Sequence, residues 1–319
     1  MSLALLFSPQ GSQAVGMGRE LAERSDAARA TFEEADLTLG WGVSEACWSG
    51  PSERLNDTRQ TQPCLLTTSV AAHRALLERI EIEARLVAGH SVGEYAALVA
   101  AGVLSFAAAL RLVSRRAELM AGVDADGGMA AVLGLDRDAV EDVVASIARP
   151  TELVVANDNA PGQVVISGRR DALKAAIAPM RFAGAKRVLP LPVSGAFHSP
   201  LMAEVADALA TAFESEEWRD AEVPMISNVT AEPLTDATRI RALLAEQVRS
   251  PVEWVRCVER MADEGIDLAV ECGSGSVLVG MLRRIAPGIR TANVGDEASL
   301  EAAVRLLRSG AAVPASATS

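Results

Sequence analysis

Five consecutive residues carry the sharpest chemical signal in the chain: Gly89-His90-Ser91-Val92-Gly93. A short apolar run over 86–88 precedes them, and a helical pattern over 91–101 follows. A G-x-S-x-G run between a strand and a helix is the setting in which a serine stands exposed on a sharp turn. Glycines suit such a turn because it leaves no room for a Cβ. Ser91 would then lie at the positive end of a helix, and the Val92 N–H would face a developing oxyanion. The chemistry of that arrangement is nucleophilic acyl transfer. A glycine-rich turn with a capping serine is the competing reading, and five residues alone do not separate the two.

A serine nucleophile needs a base, and the chain has three histidines. His73 lies in a helical pattern with Arg74 and Glu78, which predicts a surface position. His90 precedes Ser91 on the turn, so its side chain should point elsewhere and suits a structural hydrogen bond. His198 lies in Gly195-Ala196-Phe197-His198-Ser199-Pro200, a loop where two domains should meet, and such places favour sites. By elimination it is the best base; a hydrogen-bonded loop histidine outside the chemistry is the alternative. Arg116 is the third candidate. It borders the apolar stripe Phe106, Ala109, Leu110, Val113, Ala117 and Met120, whereas Arg115 falls about 200° round from Val113 and should face solvent. A guanidinium tending inward costs several kcal/mol unless paired. It either meets a buried Asp or Glu, or forms a fork for a substrate carboxylate.

These residues need elements to position them. An apolar strand over 3–7 ends in the loop SPQGSQ. Segments 18–37 and 63–80 read as helices, with Pro63 at a first helical position. Another helix covers 105–121, with Ser105 as N-cap. Residues 124–195 read β-α-β-β-α-β, a ferredoxin-like unit inserted into a larger one. Beyond it come a helix over 200–215 and a strand over 223–229. A helix over 251–263 follows, with Ser250 as N-cap, Pro251 first and Glu253 completing a capping box. A strand over 266–272, a helix over 276–285, a strand over 290–295 and a helix to about 309 complete the run. Alternation of this kind implies a mostly parallel sheet covered by helices. The expected fold is α/β. Residues 1–123 and 196–309 form a discontinuous large domain, 124–195 a small subdomain, and 310–319 a flexible tail.

Composition bounds the function. A length of 319 residues suits about two domains, and 50% hydrophobic with 23% charged residues suits a globular chain. Thirty Lys and Arg against 42 Asp and Glu give a net charge of −12, which disfavours nucleic acid and anionic membranes as partners. The four cysteines (47, 64, 257 and 272) form no C-x-x-C pair. The longest charge-free stretch, 95–110, is shorter than the roughly 18–20 residues of a membrane span, and no signal peptide is evident. A cytoplasmic protein is expected. Aromatics at 3% offer no adhesive patch, so a monomer is expected.

Taken in order, several segments resemble the malonyl-CoA:acyl-carrier-protein transacylase family, related to the acyltransferase domains of fatty-acid and polyketide synthases. Gln10-Gly11-Ser12-Gln13 is similar to the family's N-terminal loop, LNDTRQTQPCLL (55–66) to its T-Q-P-A-L segment, and GHSVGEYAAL (89–98) to its nucleophile motif. Arg116 stands 25 residues after Ser91, as the family's carboxylate-binding arginine does. NDNAPGQVVISG (157–168), AKRVLPLPVSGAFHSPLM (185–202), EQVRSPVEW (246–254) and GSGSVLVGMLRRI (273–285) extend the resemblance over about 1–309.

The resemblance implies an α/β-hydrolase-like large domain and a ping-pong reaction. Ser91 would take malonyl from malonyl-CoA and pass it to the phosphopantetheine thiol of an acyl carrier protein. His198 would be base and then acid, aligned by a carbonyl of Gln247. The amides of Gln10 and Val92 would form the oxyanion hole, and Arg116 would hold the malonyl carboxylate. Asn157 and Asn159 would face the cleft, and Phe197 would crowd the branch of methylmalonyl. No metal or redox cofactor is implied. The carrier is acidic, so docking would need a basic patch; Lys186-Arg187, Arg169-Arg170 and Arg283-Arg284 are candidates. The family's F-P-G-Q is here Phe7-Ser8-Pro9-Gln10, and its late G-P-G turn is Gly273-Ser274-Gly275. The first change should alter the loop that carries the Gln10 amide. Cys64 replaces the usual Ala after Gln62-Pro63, a small apolar swap. Other readings are a serine thioesterase or esterase, malonyl loading of a malonate decarboxylase or polyketide synthase carrier, and a catalytically silent docking module.

Overall fold

The computed structural model describes residues 1–123, 126–193 and 195–311. Strand β1 (Leu3–Phe7) has all five side chains buried, as in a strand covered on both faces. Helices α1 (Arg19–Arg24) and α2 (Asp26–Leu39) replace the single helix expected over 18–37. Ser25 breaks it: the residue is extended (φ −127°, ψ 123°), and its side chain accepts from the Ala28 N–H to start α2. Short helices α3 (Val43–Ser49) and α4 (Ser52–Leu55) follow. Helix α5 (Thr58–Arg79) starts before the expected 63, capped by Asp57. Pro63 therefore lies inside the helix, where it gives no N–H to the preceding turn.

Almost every side chain of α5 between Thr61 and Leu76 is buried. That corrects the expectation for His73. It packs edge-on against Phe7, with centroids 5.8 Å apart, and burial, helped by Arg74, lowers its pKa to about 4. Strand β2 (Leu86–Gly89) leads into α6 (Gly93–Ala100) and α7 (Phe106–Ala121). Ser105 caps α7 as expected, accepting from the Ala108 N–H.

The next elements follow the expected β-α-β-β-α-β order: β3 (Gly127–Leu133), α8 (Arg137–Ile147), β4 (Leu153–Ala160), β5 (Gln163–Arg169), α9 (Arg170–Phe182) and β6 (Arg187–Pro190). They form a separate sheet, ordered β4-β5-β3-β6, in which every pairing is antiparallel. It has its own core around Val132, Val140, Val164, Ile166 and Met180.

The chain then runs through a 3-10 turn (Pro200–Met202), α10 (Ala203–Phe213), β7 (Met225–Ile226), β8 (Pro233–Leu234), α11 (Ala237–Gln247), α12 (Trp254–Asp263), β9 (Leu268–Cys272), α13 (Val277–Ile285), β10 (Arg290–Val294) and α14 (Glu297–Ala311). β8 and α11 have no counterpart in the sequence reading. The expected helix start at 250–253 is also corrected. These residues run alongside β4: the Val252 N–H donates to the Ala156 carbonyl (2.8 Å), and the Asp158 N–H donates to the Val252 carbonyl (3.0 Å). Pairing with a strand far off in the chain outweighs the local capping pattern, and α12 begins at Trp254 without a side-chain cap. α14 runs past the expected end at 309. Residues 312–319 of the expected tail lie outside the described residues, as do 124, 125 and 194 near the edges expected for the small subdomain.

The larger sheet is ordered β10-β9-β1-β2-β7-β8. Its first five strands are parallel and β8 is antiparallel. The chain is thus a mixed α/β protein with one parallel-rich sheet and one antiparallel sheet. β1 and β2 are neighbours, with Phe7 opposite Gly89, so the loops after both strands open side by side at the carboxyl edge. Ligands of open α/β sheets bind outside that edge. Among the described residues no helix is long and apolar enough to cross a membrane.

Candidate active site

Ser91 stands on the turn between β2 and α6 with φ 54°, a left-handed conformation that costs free energy for a residue with a Cβ. The flanking glycines are required by space. A Cβ on Gly89 would lie 2.0 Å from the Gly93 carbonyl, and one on Gly93 would lie 2.3 Å from the Phe7 carbonyl oxygen. The turn is held at both ends of the serine. The Ser91 N–H donates to Asn228 Oδ1 (2.7 Å), and the Ser91 carbonyl accepts from Gln247 Nε2 (2.9 Å).

His198 Nε2 lies 2.8 Å from Ser91 Oγ. His198 Nδ1 faces two carbonyl oxygens, those of Gln247 (2.8 Å) and Ser250 (3.2 Å). Carbonyls only accept, so Nδ1 carries the proton and Nε2 is left as the acceptor for the serine hydroxyl. Burial, helped by the Arg116 charge and opposed by the Gln247 carbonyl, pushes the His198 pKa down to about 3. The ring is therefore neutral near pH 7. Like Ser91, His198 has a positive φ, 58°, fixed by its N–H donating to the Val248 carbonyl (2.9 Å).

Arg116, on α7, is 1% exposed. It donates from Nη2 to Ser91 Oγ (3.1 Å) and Gln247 Oε1 (3.1 Å), and from Nη1 to Gln62 Oε1 (2.5 Å). None of these partners is a carboxylate, and its Nε–H is buried without a partner among the described residues. Burial lowers its pKa against the pull of Tyr95 and Glu94. Arg115 faces solvent as expected, beside Glu118 (3.2 Å).

A cleft of about 200 Å³ opens between the two sheets, its wall including Gln10, Ser91, Asn157, Asn159, Phe197 and His198. Arg116 and Val92 are not on that wall. Arg116 reaches Ser91 from behind, and Val92 has a buried side chain at the start of α6. His90 Nε2 turns to Asn159 Oδ1 (2.8 Å), the structural hydrogen bond expected of it. The altered loop is anchored by Ser8, whose buried Oγ donates to Glu271 Oε1 (3.1 Å). The turn that follows closes by Ser12 Oγ donating to the Pro9 carbonyl (2.7 Å). Gly273, with φ 136°, makes room: a Cβ there would lie 2.6 Å from Ser8 Oγ.

Three residues of this network have no role assigned from the sequence: Gln62, Glu94 and Asn228. Glu94 is signalled as the one charged side chain ahead of the apolar run 95–104, whereas Gln62 ends the polar run 58–62 and carries no signal. Asn228, beside a two-residue strand, gave none.

The fold and the site place the chain among the acyl transferases. It belongs to the family described as "Acyl transferase domain", whose profile matches residues 4–301. Within that family it is 41% identical to the malonyl CoA-acyl carrier protein transacylase of Bacillus subtilis (strain 168), over 96% of this chain and 97% of that protein. Identity to the Escherichia coli (strain K12) protein of the same name is 40%, over 95% and 99%. The crystal structure of an acyl-carrier-protein S-malonyltransferase from Burkholderia pseudomallei 1710b superposes with a TM-score of 0.93 at 39% identity, covering 96% of this chain and 100% of that one. A malonyl-transacylase in complex with its type II polyketide synthase acyl-carrier protein gives the same TM-score, identity and coverage.

Proposed function

We propose that this chain is a malonyl-CoA:acyl-carrier-protein S-malonyltransferase serving fatty-acid or polyketide synthesis. The observation that carries the reading is Arg116. It is a buried guanidinium tied to the nucleophile, with no carboxylate among its hydrogen-bond partners. An acyl group ending in a carboxylate supplies the missing anion.

The reaction follows from the geometry. Ser91 Oγ attacks the thioester carbonyl of malonyl-CoA while its proton passes to His198 Nε2. The amides of Gln10 and Val92 receive the oxyanion. The C–S bond breaks, and His198 returns the proton to the CoA thiolate. Oγ is now an ester oxygen, and the Nη2–H that faced it, with the unpartnered Nε–H, turns to the malonyl carboxylate. The phosphopantetheine thiol of the carrier then gives its proton to His198 and attacks the same carbonyl; the ester C–O bond breaks and His198 returns the proton to Ser91 Oγ. The Gln247 carbonyl keeps the His198 tautomer through both halves. Asn157 and Asn159 face the thioester from the small sheet. Phe197 crowds a branch methyl, so Phe197→Ser should raise methylmalonyl-CoA kcat/KM by about tenfold; an unchanged ratio to malonyl-CoA overturns that role.

The chemistry needs no metal or redox cofactor, since the nucleophile, base and anion site are protein groups. Two finer descriptions of the fold belong to the same reading. The strand–turn–helix at Ser91 supports an α/β-hydrolase-like large domain over 1–123 and 196–309. The strand order of the second sheet supports a ferredoxin-like subdomain over 124–195. Buried free cysteines at all four positions support a cytoplasmic setting. Scattered exposed apolar side chains such as Leu37 and Phe182 support a monomer. Among the basic pairs, Arg283-Arg284 is best placed for an acidic carrier. It ends α13, a helix whose Val277 and Met281 line the cleft.

The test is an intact-mass measurement after incubation with malonyl-CoA, acetyl-CoA or methylmalonyl-CoA, followed by holo carrier protein. A malonyl adduct on Ser91 that moves to the carrier supports the transferase. An adduct lost to water as fast as it forms supports a thioesterase instead.

A further inference from the structure

Glu94 is the second residue of α6, wholly buried, and takes no part in the steps of acyl transfer. Its two oxygens are shared between two neighbours. Oε1 accepts the Asn228 N–H (2.6 Å), and Oε2 accepts from Gln247 Nε2. The same two residues hold the backbone of Ser91, Asn228 at its N–H and Gln247 at its carbonyl. Asn228 also donates from Nδ2 to the Gly89 carbonyl (2.8 Å). One carboxylate therefore sits at the joint of two struts that meet on a strained residue. A left-handed non-glycine residue persists only where its surroundings over-determine it.

The position calls for a group that only accepts. A carboxylate does so, whereas an amide of the same size turns an NH₂ toward one of two donors. Gln247 has no spare orientation with which to adapt. Its Oε1 accepts from Arg116 Nη2 (3.1 Å), and its Nε2 serves both Ser91 and Glu94. Burial raises the Glu94 carboxyl to about 8, and the hydrogen bonds from Asn228 and Gln247 and the Arg116 charge act against that rise. Both oxygens face N–H groups, which offer nothing to accept a carboxyl proton, so the geometry holds the ionised form against burial.

We infer that Glu94 is a positioning residue for acyl transfer, fixing Ser91 in line with His198 through Asn228 and Gln247. The inference rests on the transferase reading only for its second readout. Glu94→Gln keeps the side chain's size and sets a donor against Gln247. Labelling of Ser91 by a fluorophosphonate, which needs only the nucleophile and its base, should slow by about 10²-fold. The kcat for malonyl transfer should fall with it, while KM for malonyl-CoA stays within about twofold. Glu94→Asp, which keeps the charge, should recover part of both rates. Wild-type labelling by folded Glu94→Gln protein overturns the proposal, as does a change confined to KM. Should Glu94→Gln fail to fold, Asn228→Ala cuts one strut and leaves the carboxylate; unchanged labelling there overturns it equally. If wild-type protein takes the fluorophosphonate but no malonyl, the malonyl reading fails, while slower labelling of Glu94→Gln still upholds the role of Glu94.

Discussion

Arg116 and Arg137 each start from a helix and end at the boundary of the two sheets, and they are held in opposite ways. Arg137, on α8, is surrounded by anions. Its Nε meets Glu141 (2.7 Å), its Nη2 meets Glu253 Oε1 (3.0 Å), its Nη1 also bonds Glu253, and Asp158 stands 3.8 Å from Nη1. The hydrogen bond to Glu253 leads the interactions that raise its pKa. Arg116 is more deeply buried, yet its partners are two amide oxygens and a hydroxyl, and burial lowers its pKa. A saturated guanidinium fastens one domain to the other. A buried one with no carboxylate in contact is expensive unless something else brings the charge. On the proposed function, the difference separates an arginine that serves the fold from one that serves a ligand.

The comparison breaks first, and by the largest margin, at Arg116. Arg116→Ala should lower kcat/KM for malonyl-CoA by about 10²–10³-fold while acetyl-CoA transfer survives or rises. Parallel kinetics on the two donors decide it, and an unchanged malonyl preference removes the ligand role. Arg137→Ala should do the reverse. It leaves Glu253 and Asp158 uncompensated, so denaturant unfolding should show a loss of about 2 kcal/mol with the donor preference intact. A shifted malonyl-to-acetyl ratio in that variant would erase the distinction.

The acid side of the Arg137 cluster sharpens it further. Burial leads the causes that hold Asp158 at about 6, above its ordinary 3.8; Arg137 opposes, while Glu253, Glu259 and Glu141 reinforce. Between pH 4 and 6 the folded chain keeps a proton that the unfolded chain has released, so this group's contribution falls as pH rises through that window. Asp158→Asn should flatten that stretch of the stability–pH curve and be more stable at pH 7 by about 1 kcal/mol. A variant that follows the wild-type curve contradicts the assignment. The smallest effect belongs to Arg115, next to Arg116 in the chain but exposed and paired with Glu118. Arg115→Ala should change stability by less than about 0.5 kcal/mol and leave kinetics alone.

Much of this was legible in the sequence wherever a short segment decides its own conformation. The glycines of 89–93 announce the turn because only their spacing removes the clash with Phe7 and with each other. Ser105 announces α7, and the apolar stripe of that helix turns Arg116 inward. The alternation over 124–195 gives the second sheet element by element. The failures came where a distant partner decides. Ser250-Pro251-Val252-Glu253 has every local mark of a helix start, yet β4 captures it through a single bridge at Val252. His73 looks like a surface residue beside Arg74 and Glu78 until α5 is enclosed by other helices. Glu94 and Asn228 lie 134 residues apart in the chain, and no local pattern joins them.

Residues 250–253 also bear on how such a protein could be recombined. Ser250 gives its carbonyl to His198, Val252 lies along β4, and Glu253 offers its carboxylate to Arg137 and its N–H to the Asn228 carbonyl (2.9 Å). The small sheet is contiguous in sequence, which invites exchange of residues 124–195 between relatives as a cassette. Part of its seam with the rest of the molecule, however, is made by Val252 and Glu253, which lie far outside that cassette. A chimera that respects only the sequence boundaries separates β4 and Arg137 from the segment that matches them, and His198 is one hydrogen bond away, at the Ser250 carbonyl. The unit to exchange is the antiparallel sheet with its helices together with 250–253.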